Sequence, residues 1–301
     1  MKTRKWLAMA GVLLFSIAGL TSCNKENDGK DAKQMTGKFE ITDASSPIQT
    51  IELTKDGEYI ITKKPNKTRS EDDLELTDVW AFGNFTFVDG FYYLQGFGKI
   101  AIDLLKSGLA EVYIESGGWD PVTVHANVAS TVQKTEINRL LCRHWVFDKT
   151  YFSLSFSDLP LLNFSFEVDG CNFSKWFEKT GDEEGQEELE KECTGIIFTE
   201  SGTYAVLFGN GKVNVGSWDW ENSEDGSLKC EWNNQYQSFF KDYRFHGSLT
   251  VNVVEGEKEE DPATCTIVRS FDTTMDRYKL FSGYSSHSMN TSLTYCLKEY
   301  K

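Results

Sequence analysis

Two stretches of the chain carry nearly the same alternation of apolar and polar positions. Ile51-Glu52-Leu53-Thr54-Lys55-Asp56-Gly57-Glu58-Tyr59-Ile60-Ile61 aligns with Ile196-Ile197-Phe198-Thr199-Glu200-Ser201-Gly202-Thr203-Tyr204-Ala205-Val206. Each reads as strand, tight turn, strand. The Asp or Ser side chain can bond the turn backbone, and Gly supplies a positive φ. The period of two on either side fixes which face is buried. A second match follows each hairpin. Gly83-Asn84-Phe85-Thr86-Phe87 parallels Gly216-Ser217-Trp218-Asp219-Trp220, so two aromatics point to one face in each case. Turns at Asp89-Gly90 and Asp225-Gly226 come next, and then strand-like runs at 91–94 and 227–232. An aromatic opens each unit: Gly37-Lys38-Phe39 in the first and Arg143-His144-Trp145 in the second.

Between the two units, Ile137, Leu140, Leu141 and Trp145 sit at helical spacing, and Thr135 can cap the helix. The boundary therefore falls near Val132. The second unit carries an insertion before its hairpin. Residues 146–166 alternate loosely and predict a strand pair around Asp158-Leu159-Pro160. Phe173, Trp176 and Phe177 share a helical face, which predicts a short helix closing a barrel end, and 182–192 is an acidic loop. The run 292–297 alternates and should be a closing strand.

This order of aromatic opener, hairpin and Gly-x-aromatic strand resembles the bacterial lipocalin-like domains of exported lipoproteins. The resemblance covers most of residues 36–130 and 139–300. It implies an all-β chain of two tandem lipocalin-like antiparallel up-and-down barrels with short capping helices. The first unit departs from the family pattern by having Phe39 and Phe85 where the family prefers Trp. The expected organisation is a signal peptide over 1–22, a flexible tether over 23–35, one barrel over 36–132 and a second, with the helical insertion, over 133–301.

The N-terminus supplies an address. Met1-Lys2-Thr3-Arg4-Lys5 is basic, and Trp6 to Leu20 is uncharged and mostly apolar. That core is shorter than the ~20 residues of a membrane span and suits a signal h-region. Leu20-Thr21-Ser22-Cys23 resembles the bacterial lipobox, which implies cleavage before Cys23 and acylation of its thiol. Asn24 is not the Asp that retains well-studied lipoproteins at the inner membrane, so the outer membrane is expected. Acidic residues just beyond, interrupted by basic ones, resemble the surface-export signal of Bacteroidetes lipoproteins. The periplasmic and cell-surface faces both stay open. Residues 24–33 hold no large hydrophobe and should be a tether.

A net charge of −15 argues against a nucleic-acid partner and against broad contact with anionic headgroups. Aromatics at 14% with 24 Gly and only five Pro suit a β-rich chain with many turns. Beyond Cys23 lie Cys142, Cys171, Cys193, Cys230, Cys265 and Cys296. Export permits disulfides, and buried free thiols are the other option. His125, His144, His246 and His287 are far apart, no Cys/His spacing suggests zinc, and no G-x-S-x-G elbow occurs. The chain is therefore read as not an enzyme, with no cofactor and no metal.

Aromatics remain as candidate chemistry. Trp145, Trp218, Trp220 and Trp232 crowd the second unit. Most such residues fill cores; some can line a barrel mouth and hold a small apolar or glycan ligand. The expected function is an outer-membrane-anchored binding module. The alternative is a structural or protein-interaction lipoprotein whose barrels are filled by side chains. A protein partner is not readable. Asp272-Thr273-Thr274 also resembles the Bacteroidetes O-glycosylation sequon.

Overall fold

The computed structural model describes residues 34–64, 79–132, 135–157, 160–171, 193–224, 226–231, 246–258, 261–274 and 288–301. The signal segment, Cys23, the insertion helix, the acidic loop, Trp232 and His287 lie outside them.

The protein is all-β. The first eight strands are β1 (Gly37–Ile41), β2 (Ile48–Leu53), β3 (Glu58–Lys63), β4 (Val79–Val88), β5 (Phe91–Leu94), β6 (Gly98–Leu104), β7 (Leu109–Ser116) and β8 (Val122–Val128). Each pairs antiparallel with the next, and β8 returns to β1 through Phe39↔Val128, which closes the barrel. Closure leaves no open edge for another chain to pair with. Inward positions carry Phe39, Ile51, Leu53, Tyr59, Tyr92, Ile100, Val112 and Ile114, all almost completely buried in one cluster. An eight-stranded barrel is just wide enough to be filled by its own side chains, and this one is filled.

A six-residue helix, α1 (Glu136–Leu141), follows, where its spacing predicted it. Thr135 caps it by accepting from the Asn138 N–H, and Leu141 is fully buried. It leads into the long strand β9 (His144–Phe156). The remaining strands are β10 (Phe164–Asp169), β11 (Cys193–Phe198), β12 (Thr203–Phe208), β13 (Val213–Asn222), β14 (Ser227–Glu231), β15 (His246–Val254), β16 (Thr264–Thr274) and β17 (Ser288–Glu299). β9 and β10 form the strand pair read from 146–166. β11 to β17 follow one another in a single curled sheet, and β17 pairs back onto β9 along Met289↔Phe156 to Glu299↔Trp145. β10 stays at the sheet edge. Trp145, Phe198, Tyr204, Trp218 and Leu297 share the core of this sheet.

The repeat in the sequence is a repeat in hydrogen bonds. The Glu58 N–H donates to Thr54 Oγ1 at 3.0 Å, and the Thr203 N–H donates to Thr199 Oγ1 at 3.1 Å. The Phe85 N–H donates to the Gly57 carbonyl at 2.7 Å, and the Trp218 N–H to the Gly202 carbonyl at 2.8 Å. Gly57 and Gly202 take φ of 85° and 75°, which a side chain would strain. The Gly that opens each aromatic strand has a different reason. A Cβ on Gly83 would sit 3.2 Å from the Tyr59 ring, and one on Gly216 only 2.4 Å from the Tyr204 ring. The hairpin tyrosine of each unit packs against that glycine.

Candidate functional site

The two equivalent hairpins do more than build their own barrels: their outward faces pack against each other. Side chains at period two from the core point outward, so Ile60 of β3 and Ala205 of β12 leave their barrels on the side away from the core. They meet Ile197 and Val213, with Val79, Phe82, Leu207 and Val215 packed around them. A surface that a lone barrel would show to water thus becomes a small apolar seam.

Polar groups flank that seam in a pseudo-twofold arrangement. On one side the Lys38 ammonium of the first barrel lies 3.4 Å from Thr203 Oγ1 of the second. On the other, His144 Nδ1 of the second lies 2.7 Å from Glu58 Oε1 of the first. Lys38 and His144 hold the same place in the repeat, one residue before the opening aromatic. Glu58 and Thr203 also hold the same place, one residue after the turn glycine. The register agrees, since Lys38 stands opposite Glu52 and His144 opposite Ile197. The His144 ring also stacks on Tyr300 at 4.4 Å. Beside it, the Arg143 guanidinium donates to Glu299 at 2.8 Å and lies over the Trp145 ring.

The symmetry breaks most sharply where a carboxylate stands against an isoleucine. Where the second barrel has Ile197, buried in the seam, the first has Glu52. Glu52 is 2% exposed, and its Oε1 has no hydrogen-bond partner among the described residues. Around it lies a cleft of about 180 Å3 between the barrels. Lys38, Glu52 and Ile60 form one wall, and Thr203, Val215 and Ser217 the other. Thr50 and Thr62, joined at 2.6 Å, add hydroxyls on the first wall. Asn214 borders the cleft as well, but strand alternation puts its side chain on the Trp218 face, toward the second core.

The tryptophans singled out from sequence lie elsewhere. Trp145 is fully buried and its indole N–H donates to the Leu141 carbonyl at 2.9 Å. Trp218 is 3% exposed and its N–H is shared by the Thr199 and Thr203 carbonyls at 3.2 and 3.1 Å. Trp220 is half-buried against the same core and donates to Asn138 Oδ1 of α1. These three meet in the core of the second sheet, with Trp218 and Trp220 edge to face at 5.7 Å, and none lines the cleft. Two further aromatic groups lie apart from these tryptophans. Trp80, Phe97 and Trp119 cluster on the first barrel, with Trp80 and Trp119 centroids 4.5 Å apart. Phe152, Phe164 and Phe166 stack across β9 and β10.

Cys142 and Cys265 are buried free thiols, and Cys296 is a half-buried one. Burial pushes the Cys142 thiol up to about 12 and that of Cys265 higher still. Neither is a nucleophile near neutral pH. Among the described residues no group of three or more His, Cys, Asp or Glu side chains is placed to hold a metal ion. No helix among them is long and apolar enough to cross a membrane.

No protein-family model matches the chain, and no curated protein does. Among solved structures, the chain is similar to a structural-genomics protein of unknown function from Bacteroides ovatus. The identity is 10% and the TM-score 0.23, over 63% of this chain and 56% of that one. The chain thus spans little more than half of that relative. It is also similar to a multidomain protein including DUF1735 from Bacteroides ovatus, at 10% identity and a TM-score of 0.25, over 87% of this chain and 95% of that one. Scores this low assign neither fold nor function.

Proposed function

We propose that this protein is an exported lipoprotein, held to the outer membrane by acyl chains on Cys23, that acts without catalysis through the joined surface of its two barrels. The observation that carries this reading is the filled interior of the first barrel. Phe39, Ile51, Tyr59, Tyr92, Ile100 and Ile114 are each 1% exposed or less and occupy the space where a lumenal ligand would lie. In the second sheet Trp145 and Trp218 serve the core in the same way. This favours the interaction role over a lumenal apolar-ligand carrier. The lipobox and the polar tether support anchoring, since several acyl chains hold a protein on a bilayer stably at ~0.8 kcal/mol per buried CH2.

Two measurements test it. Mass spectrometry of the mature protein should find Cys23 acylated at the N-terminus, and Cys23→Ser should move the protein from the membrane to the soluble fraction. Titration with cis-parinaric acid should give no saturable signal. An unmodified Cys23, or stoichiometric binding of the fatty acid, overturns the corresponding half of the reading.

A further inference from the structure

We propose that the cleft between the barrels is a binding site for a small, uncharged, hydroxyl-rich molecule of monosaccharide size, with Glu52 as its anchor.

The seam is asymmetric at Glu52. At the equivalent position the second barrel places Ile197, which closes its side of the seam with apolar contact. The same solution was open to the first barrel. Instead it keeps a carboxylate that is 2% exposed, with one oxygen sealed from solvent and unpaired among the described residues. A buried carboxylate oxygen left without a hydrogen-bond donor costs a fold free energy. Its outward position on β2, between Lys38 and Ile60 in register, turns it into the cleft and away from the first core. A ligand seated in the cleft would satisfy it with a hydrogen-bond donor once a small turn of the Glu52 side chain brings the oxygen to the cleft wall.

The walls define the ligand class. One carboxylate and one ammonium, Glu52 and Lys38, balance in charge, so the ligand carries no net charge. Carboxylate oxygens only accept, the ammonium only donates, and the Thr50, Thr62 and Ser217 hydroxyls do both. A molecule with several adjacent hydroxyls answers all three. Ile60, Val79 and Val215 offer apolar contact to its C–H face. A volume of about 180 Å3 is below the ~300 Å3 at which drug-sized sites begin. It excludes an acyl chain or an oligosaccharide buried whole.

Isothermal titration of the detergent-solubilised full-length protein tests this. The probes are D-glucose, D-galactose, D-mannose and N-acetyl-D-glucosamine, with methylammonium and acetate as charged controls. At least one sugar should bind saturably, with a Kd near or below about 10 mM. Glu52→Gln, which keeps the shape and loses the charge, should weaken it about tenfold or more. Glu52→Ile, which copies Ile197, should abolish binding and raise the melting temperature. Saturable binding of none of the four sugars, binding of a charged control alone, or undiminished sugar binding by Glu52→Gln overturns the proposal. The glutamine variant keeps the test valid should the isoleucine variant fail to fold.

Discussion

Glu58 Oε1 and His144 Nδ1 meet at 2.7 Å across the seam, and the repeat puts Thr203 and Lys38 at the same two positions with the barrels exchanged. One contact pairs an acid with an imidazole, and the other an ammonium with a hydroxyl. The seam therefore has a strong side and a weak side.

The strong side should dominate the stability of the joined barrels. Both partners are mostly buried, with side-chain exposures of 7% and 13%. His144→Ala leaves Glu58 sealed without its partner and should cost about 3 kcal/mol in urea unfolding. The double variant with Glu58→Ala should cost less than the sum of the two single changes, by about 0.5–3 kcal/mol. Lys38→Ala should cost less than about 1 kcal/mol, because its contact is longer and half-exposed. Strict additivity of the Glu58 and His144 changes would show that the pair does not couple the barrels.

The two hairpin cores should be comparably sensitive to truncation. Leu53 and Phe198 are repeat equivalents, 1% and 2% exposed, each inside its own core. Leu53→Ala should cost about 2–5 kcal/mol and Phe198→Ala about 3–5 kcal/mol. Chemical denaturation checks both, and an unmoved midpoint for either would break the alignment of the two hairpins.

These elements were legible because they rest on local rules. The turn glycines need positive φ, the alternation sets the faces, and Thr135 announces α1. The seam was not legible. Lys38, Glu52 and Glu58 sit at outward positions of amphipathic strands, where a polar residue ordinarily meets water. The second barrel, remote in sequence, lies against all three, and Glu52 and Glu58 are buried there while Lys38 stays half-exposed. The tryptophans failed as site markers for a related reason. Large aromatics suit a core and a ligand mouth equally well, and Trp145 and Trp218 went to the core with their N–H groups satisfied by nearby carbonyls. Glu52 did leave a trace, as the one charged residue aligned with an isoleucine in the repeat.

The glycine beneath each hairpin tyrosine ranks two variants. A methyl at Gly216 would fall 2.4 Å from the Tyr204 ring, against 3.2 Å from the Tyr59 ring at Gly83. Gly216→Ala should therefore be the more disruptive, at about 1–3 kcal/mol for overpacking. Gly83→Ala should fall below it in the same thermal melts. A reversed order would mean that Tyr204 moves aside more easily than Tyr59.

Burial of Cys142 makes the fold sensitive to alkaline pH. Burial raises its thiol from 9.0 to about 12, with Glu200 adding in the same direction. The folded protein thus holds the proton more tightly than the unfolded chain. The resulting stability is complete below pH 9 and is lost as pH rises toward about 12. Burial raises Cys265 and the Tyr59, Tyr92 and Tyr295 hydroxyls in the same sense, so alkaline unfolding should be steep. Cys142→Ala removes one contributor and should flatten the decline above pH 9, as followed by the urea midpoint. Iodoacetamide at pH 8 should leave Cys142 and Cys265 unmodified in the native protein and label both after denaturation. Rapid native labelling of Cys142 would contradict its place in the core beside Leu141 and Trp145.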